Sequence, residues 1–99
     1  MTIQIAVDRE RIAEFCRRHH IVKLSFFGSV TTGDFREDSD VDVLVEYDEA
    51  HVPDFFTFFD QRDELTGMFG RTVDLHTPAG LSHFFRDEVV RNAAVQYAA

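Results

Sequence analysis

Gly28-Ser29, ten further residues, then Asp40-Val41-Asp42 set a small-residue turn beside two carboxylates one residue apart. A third carboxylate, Asp74, sits in a separate apolar run, Arg71-Thr72-Val73-Asp74-Leu75-His76. Residues i and i+2 of a strand point to one face, so Asp40 and Asp42 at the start of a strand would aim at one point. Two carboxylates that close repel, and one would be driven to hold a proton. A divalent cation removes that cost. Mg²⁺ in particular takes one or two carboxylates together with phosphate oxygens of a substrate. The turn supplies the complementary half. Gly28 has no side chain, so backbone can come close to a phosphate. The Ser29 hydroxyl can donate to a phosphate oxygen, and a helix starting there would add free N–H groups. These residue types suit a metal–nucleotide complex.

The elements needed to hold them can be read along the chain. Asp8 is placed to cap a helix over residues 8–19, with Ile12, Phe15, Cys16 and His19 recurring on one face. Residues 22–27 read as a strand broken by Gly28. Residues 29–33 read as a helical turn ended by Gly33. Residues 34–39 follow as a charged loop in which Asp34, Glu37 and Asp38 are solvated. Residues 41–45 are nearly all apolar, as a central strand buried on both faces should be. Pro53 suits the first position of a helix that runs to Phe69 and stops at Gly70. Residues 72–76 make a third strand and residues 77–80 a turn. Ser82 is placed to cap a last helix to Ala93, and residues 94–97 add a short strand. Together they give an α+β fold: a small sheet with helices packed on it in two layers, formed by residues 1–99 as one domain.

Composition limits the function classes. With 44% hydrophobic residues the chain can fold around a core rather than stay disordered. The net charge of −8 (10 Lys and Arg against 18 Asp and Glu) argues against direct nucleic-acid binding, which needs a basic face. It suits a metal-bound nucleotide or a basic protein partner. No run approaches the ~20 apolar residues of a membrane span. The first residues lack a basic stretch followed by an apolar one, and Cys16 is a lone cysteine. The expected location is therefore the cytoplasm.

The pattern Gly28-Ser29, ten residues, Asp40-x-Asp42, with Asp74 in its own strand, resembles the DNA polymerase β-like nucleotidyltransferases. Nearly the whole chain is similar to their smallest branch, the minimal nucleotidyltransferases. The stretch Thr77-Pro78-Ala79-Gly80-Leu81 followed by residues 85–93 is similar to the ends of such proteins. The resemblance implies a mixed sheet, two Mg²⁺ ions and ATP as substrate. It implies Asp40, Asp42 and Asp74 as metal ligands and catalytic residues, with Asp74 helping to deprotonate the attacking hydroxyl. It implies Gly28 and Ser29 as holders of the triphosphate. Such proteins commonly accompany a HEPN-domain ribonuclease toxin, so the resemblance also implies an antitoxin that transfers AMP to a toxin hydroxyl, a tyrosine in some cases. A homodimer or hetero-oligomer is compatible with this.

The chain departs from many members in its turn. Gly-Ser-Arg-Ala-Arg-Gly is replaced by Gly28-Ser29-Val30-Thr31-Thr32-Gly33, which leaves metals, backbone N–H groups or Arg36 to meet phosphate charge. A non-catalytic antitoxin that occludes the toxin is the second reading. Transfer of a nucleotide to a small molecule is the third, and it is disfavoured because 99 residues leave little room for an acceptor domain. The five histidines form no zinc-like grouping. His76 could share the face of Asp74, but the ordinary reading gives it no role. His19 and His20 are expected to satisfy carbonyls at a helix end, and Cys16 to be core. Phe55, Phe58 and Phe59 are expected in the core, with Phe56 pointing elsewhere and the helix contributing to a protein contact. Of Phe84 and Phe85, one is expected to be core.

Overall fold

A computed structural model of the chain describes residues 8–31, 36 and 39–99. Thr32, Gly33 and the loop carboxylates Asp34, Glu37 and Asp38 lie outside the described residues. The first helix, α1, spans Arg9–Arg18, and the Asp8 carboxylate accepts from the N–H groups of Glu10 and Arg11 as a cap. Strand β1 (Ile21–Phe27) leads through a single 3₁₀ turn, Gly28–Thr31, towards β2 (Val41–Tyr47). Helix α2 (Phe55–Phe69), strand β3 (Val73–His76), helix α3 (Arg86–Asn92) and strand β4 (Ala94–Ala98) complete the order.

The four strands form one sheet in the order β3-β2-β1-β4. β1 is antiparallel to both β2 and β4, while β2 and β3 are parallel, so the fold is α+β with a mixed sheet. Cross-strand partners Leu24 and Val45, Phe26 and Val43, Val43 and Leu75, and Val41 and Val73 are all buried. They belong to one core cluster with Ile12, Phe15 and Cys16 of α1 and Leu65 of α2. Helix α1 packs on β1 and β4, and α2 packs on β3. Because strand side chains alternate, the intervening residues Phe27, Asp42, Leu44, Asp74 and His76 share the opposite face. The sheet thus separates the helical core layer from the face that carries the carboxylates.

Helix ends depart from expectation in instructive ways. Helix α2 begins at Phe55 rather than Pro53, capped by Asp54, whose carboxylate accepts from the Thr57 N–H at 2.8 Å. Gly70 ends α2 at φ +68°, the left-handed stop its type predicts. Helix α3 starts at Arg86 rather than at Ser82. Residues 82–85 form a turn whose Ser82 carbonyl accepts from Phe85 and Arg86, because His83, Phe84 and Phe85 are weak helix formers. His19 closes α1 through its backbone N–H, which donates to the Phe15 carbonyl at 3.1 Å. His19 Nε2 reaches Glu64 of α2 at 3.1 Å, and Arg18 binds the same carboxylate at 2.6 Å. These contacts, Arg18 foremost, hold the Glu64 carboxyl below its ordinary range. His20 adopts φ +59° and stacks on His51 with ring centres 3.8 Å apart.

The aromatic helix is corrected most. Phe58 packs against the core, but Phe55 and Phe59 lie 79% and 44% exposed, with Phe56 at 83%. The buried face of α2 runs through Gln61 and Leu65 instead. Gln61 is tolerated there because its Oε1 accepts from the Tyr47 hydroxyl. Phe84 and Phe85 are both exposed. Cys16 is buried as expected, and burial pushes its thiol up to about 12, which makes it a poor nucleophile. Among the described residues, no helix is long and apolar enough to cross a membrane. Leu65 is the fully buried anchor of α2, so Leu65→Ala is expected to cost about 2–4 kcal/mol in urea unfolding.

Candidate active site

Strand register brings the separated carboxylates together. In the parallel pairing of β2 and β3, Asp42 stands opposite Asp74 and Leu44 opposite His76. In the antiparallel pairing, Asp42 also stands opposite Phe27, the residue before Gly28. Parallel neighbours on one face sit side by side, so the two carboxylates are neighbours although 31 residues of chain separate them. One donor atom each from Asp42, Asp74 and His76 lies within 4.8 Å of the others. His76 Nε2 is 3.1 Å from Asp74 Oδ2. The edge of its ring meets Phe27, with centres 5.4 Å apart.

Asp40 ends up differently from Asp42. The strand begins at Val41, and Asp40 stands exposed just before it, outside the three-residue cluster. It is still close enough to act on Asp42 and shares a cleft of about 360 Å³ with Asp74. Arg62, Asp63 and Thr66 of α2 form the opposite wall of that cleft. Arg62 is a lining cation that sequence reasoning missed. Its guanidinium binds Asp63 and lies over the Phe59 ring, 4.9 Å from its centre. A long helix carries no local signal for such placement. His76 does carry one, the two-residue spacing from Asp74 that puts both on one strand face.

Burial raises the Asp42 carboxyl above its ordinary range, and the neighbouring Asp74 charge adds to it. His76 opposes the shift, and Asp40 adds a smaller push upward. A cation at this point would relieve all the repulsive contributions together. The oxygen donors of Asp40, Asp42 and Asp74 are the chemistry a hard divalent ion requires.

Gly28 has a conformational reason to be glycine. Its φ is +70°, and a Cβ there would run into the Asp42 carboxylate, whose Cγ would lie only 3.2 Å away. The turn and the carboxylate are therefore packed against each other. Ser29 is half-buried in the 3₁₀ turn, and the Thr31 hydroxyl donates to the Gly28 carbonyl at 2.8 Å. The expected helix at Ser29 is only this four-residue turn, so backbone dipoles accumulate less than in a full helix. Beside the cluster, a mainly apolar groove of about 470 Å³ runs along Tyr47, Val52, Phe55, Phe58, Leu75 and His76.

Comparison with known proteins fits this arrangement. Residues 9–95 match the family described as Nucleotidyltransferase domain. The protein adenylyltransferase MntA of Thermococcus cleftensis is 32% identical over 78 residues, 79% of this chain and 77% of that protein. A solved chain described provisionally as a minimal nucleotidyltransferase superposes with a TM-score of 0.71 at 36% identity, covering 86% of this chain and 85% of its own. A complex of the tri-AMPylated Shewanella oneidensis HEPN toxin with MNT antitoxin gives a TM-score of 0.66 at 18% identity, covering 92% of this chain and 70% of its own.

Two outcomes follow from the site geometry. Gly28→Ala is expected to destabilise the fold by more than the ~1 kcal/mol of an ordinary backbone penalty, read by thermal unfolding, because the left-handed φ and the Asp42 collision act together. A carboxyl raised in the folded state stabilises the protein below its unfolded pKa and loses that contribution as pH rises through its folded pKa. In metal-free buffer, Asp42→Asn is therefore expected to melt higher than the wild type at pH 7, with the difference shrinking towards pH 4. An equal difference at both pH values would contradict the assigned cause.

Proposed function

Because the chain belongs to the nucleotidyltransferase-domain family, we propose that it transfers AMP from ATP to a tyrosine hydroxyl of a HEPN-type ribonuclease toxin and so acts as its antitoxin. The observation that carries the reading is the register pairing of Asp42 with Asp74 beside the Gly28 turn. The adenylyltransferase name of the Thermococcus relative and the AMPylated toxin in the Shewanella complex support AMP transfer to a protein acceptor.

Asp40, Asp42 and Asp74 would hold two Mg²⁺ ions, which when bound neutralise phosphate charge and stabilise the attacking and leaving oxygens. The chain's own groups do the rest. Gly28 lets the turn approach the triphosphate, and Ser29 donates to it. Asp74, 56% exposed in its side chain, faces the cleft where an acceptor would enter and takes the hydroxyl proton. The acceptor oxygen forms a bond to the α-phosphorus, the bond from that phosphorus to the bridging oxygen breaks, and pyrophosphate leaves. Exposure of the cleft suits a macromolecular acceptor, which brings its own walls and excludes water on docking.

A second reading is neutralisation by occlusion alone. It draws on the turn, where Val30 is fully buried and Thr31 is tied to Gly28, so no cation is presented to a triphosphate there. Intact-mass measurement of the toxin recovered with this protein separates the two. With ATP and Mg²⁺ the toxin is expected to gain one or more AMP units. Asp42→Asn should lower the rate by more than the roughly 10–100-fold typical of losing a group behind a metal ligand. A toxin bound equally well by both proteins, and unmodified by either, would leave occlusion as the function.

A further inference from the structure

His76 is the feature of the site that a three-carboxylate centre does not require. Its Nε2 lies 3.1 Å from Asp74 Oδ2, and both belong to the cluster with Asp42. Two cis ligands bonded to one ion at about 2.1 Å stand roughly 3 Å apart. The His76–Asp74 separation fits a shared ion as well as a direct ion pair. All three donor atoms lie within 4.8 Å of one another. The imidazole is aimed by its strand position opposite Leu44 and by the Phe27 ring against it. With a side chain 30% exposed, it is open enough to take an ion from solvent.

We infer that Asp42, Asp74 and His76 form a mixed oxygen–nitrogen site that takes a first-row transition ion such as Mn²⁺ in preference to Mg²⁺, with His76 Nε2 as a direct ligand. This deepens the proposed transferase and rests on that reading for the role of the ion. The reason is donor chemistry. Mg²⁺ wants oxygen and keeps its water, so an imidazole adds little to its binding. Manganese and the later first-row ions accept carboxylate and imidazole together, with affinity rising along the series. The alternative is that His76 only forms an ion pair with Asp74 and orients it, which would leave metal preference untouched.

The test is direct metal binding by the full chain, alone and with a non-hydrolysable ATP analogue. Mn²⁺ is followed by electron paramagnetic resonance and Mg²⁺ by competition. Wild type is expected to prefer Mn²⁺ and to show nitrogen hyperfine modulation of the bound ion. His76→Gln, which keeps size and polarity, should lose that modulation and weaken Mn²⁺ by about 10-fold or more, while Mg²⁺ changes less than about 3-fold. Bound Mn²⁺ without nitrogen modulation in the wild type would overturn the inference, even if the variant failed to fold. So would an unchanged preference in His76→Gln. Both results would leave the transferase standing. No binding of either ion by the wild type, with or without the analogue, would instead remove the metal centre on which both readings rest.

Discussion

The structure turns on placing two like charges side by side. Asp42 and Asp74 come from different strands, and only the parallel pairing of β2 with β3 makes them neighbours. That pairing is enforced from the other face, where Val41, Val43, Val73 and Leu75 are buried under the helices. A slip of one residue would move these apolar side chains into water and the carboxylates into the core. Hydrophobic burial therefore holds a repulsive charge pair in register. Burial first, and the Asp74 charge second, raise the Asp42 carboxyl, which is the cost of that arrangement. Stability and function pull in opposite directions at this position, as is common at sites built to bind a cation.

The remaining parts of the site follow from the same strand. β2 is flanked by β1 and β3, so Asp42 meets the end of β1 on one side and Asp74 on the other. The turn after β1 must then pass close above Asp42, and a residue without a Cβ is required there. Phe27, the last residue of β1, backs the imidazole of His76. Turn, carboxylates and histidine form one constellation because a single central strand touches every strand that contributes to it. The fold that carries it is similar to that of the solved chain described provisionally as a minimal nucleotidyltransferase.

The outer surface is less settled by packing. Helix α2 buries only Gln61 and Leu65, and it leaves Phe55 and Phe56 largely exposed. With Phe84 and Phe85 also in solvent, the chain carries more exposed aromatic surface than scattered single residues would explain. The apolar groove along Phe55 and Phe58 reaches His76, so this surface is continuous with the edge of the charged cluster.

The strands, the Asp8 and Gly70 helix boundaries and the Gly28–Asp42–Asp74 pattern were legible in the sequence because each depends on local chemistry. Period-two alternation marks a strand, a carboxylate caps a helix, and glycine marks a left-handed turn. The short terminal strand expected over residues 94–97 is observed over Ala94–Ala98. Side-chain environment was not legible where it depends on distant partners. Phe55 and Phe59 have the right spacing for a core face, yet Leu65 and Gln61 take that face because β3 and Tyr47 lie beneath them. The imidazole of His19, whose backbone caps α1, finds its partner in Glu64, 45 residues away. Asp40 and Asp42 look equivalent in sequence, but strand pairing begins at Val41 and buries only the second of them in part. The amino-acid sequence by itself determined which residues can do chemistry and which elements carry them. Only the tertiary structure decided that His76 and Arg62 stand beside them, because parallel register and helix docking are set by burial across the whole sheet.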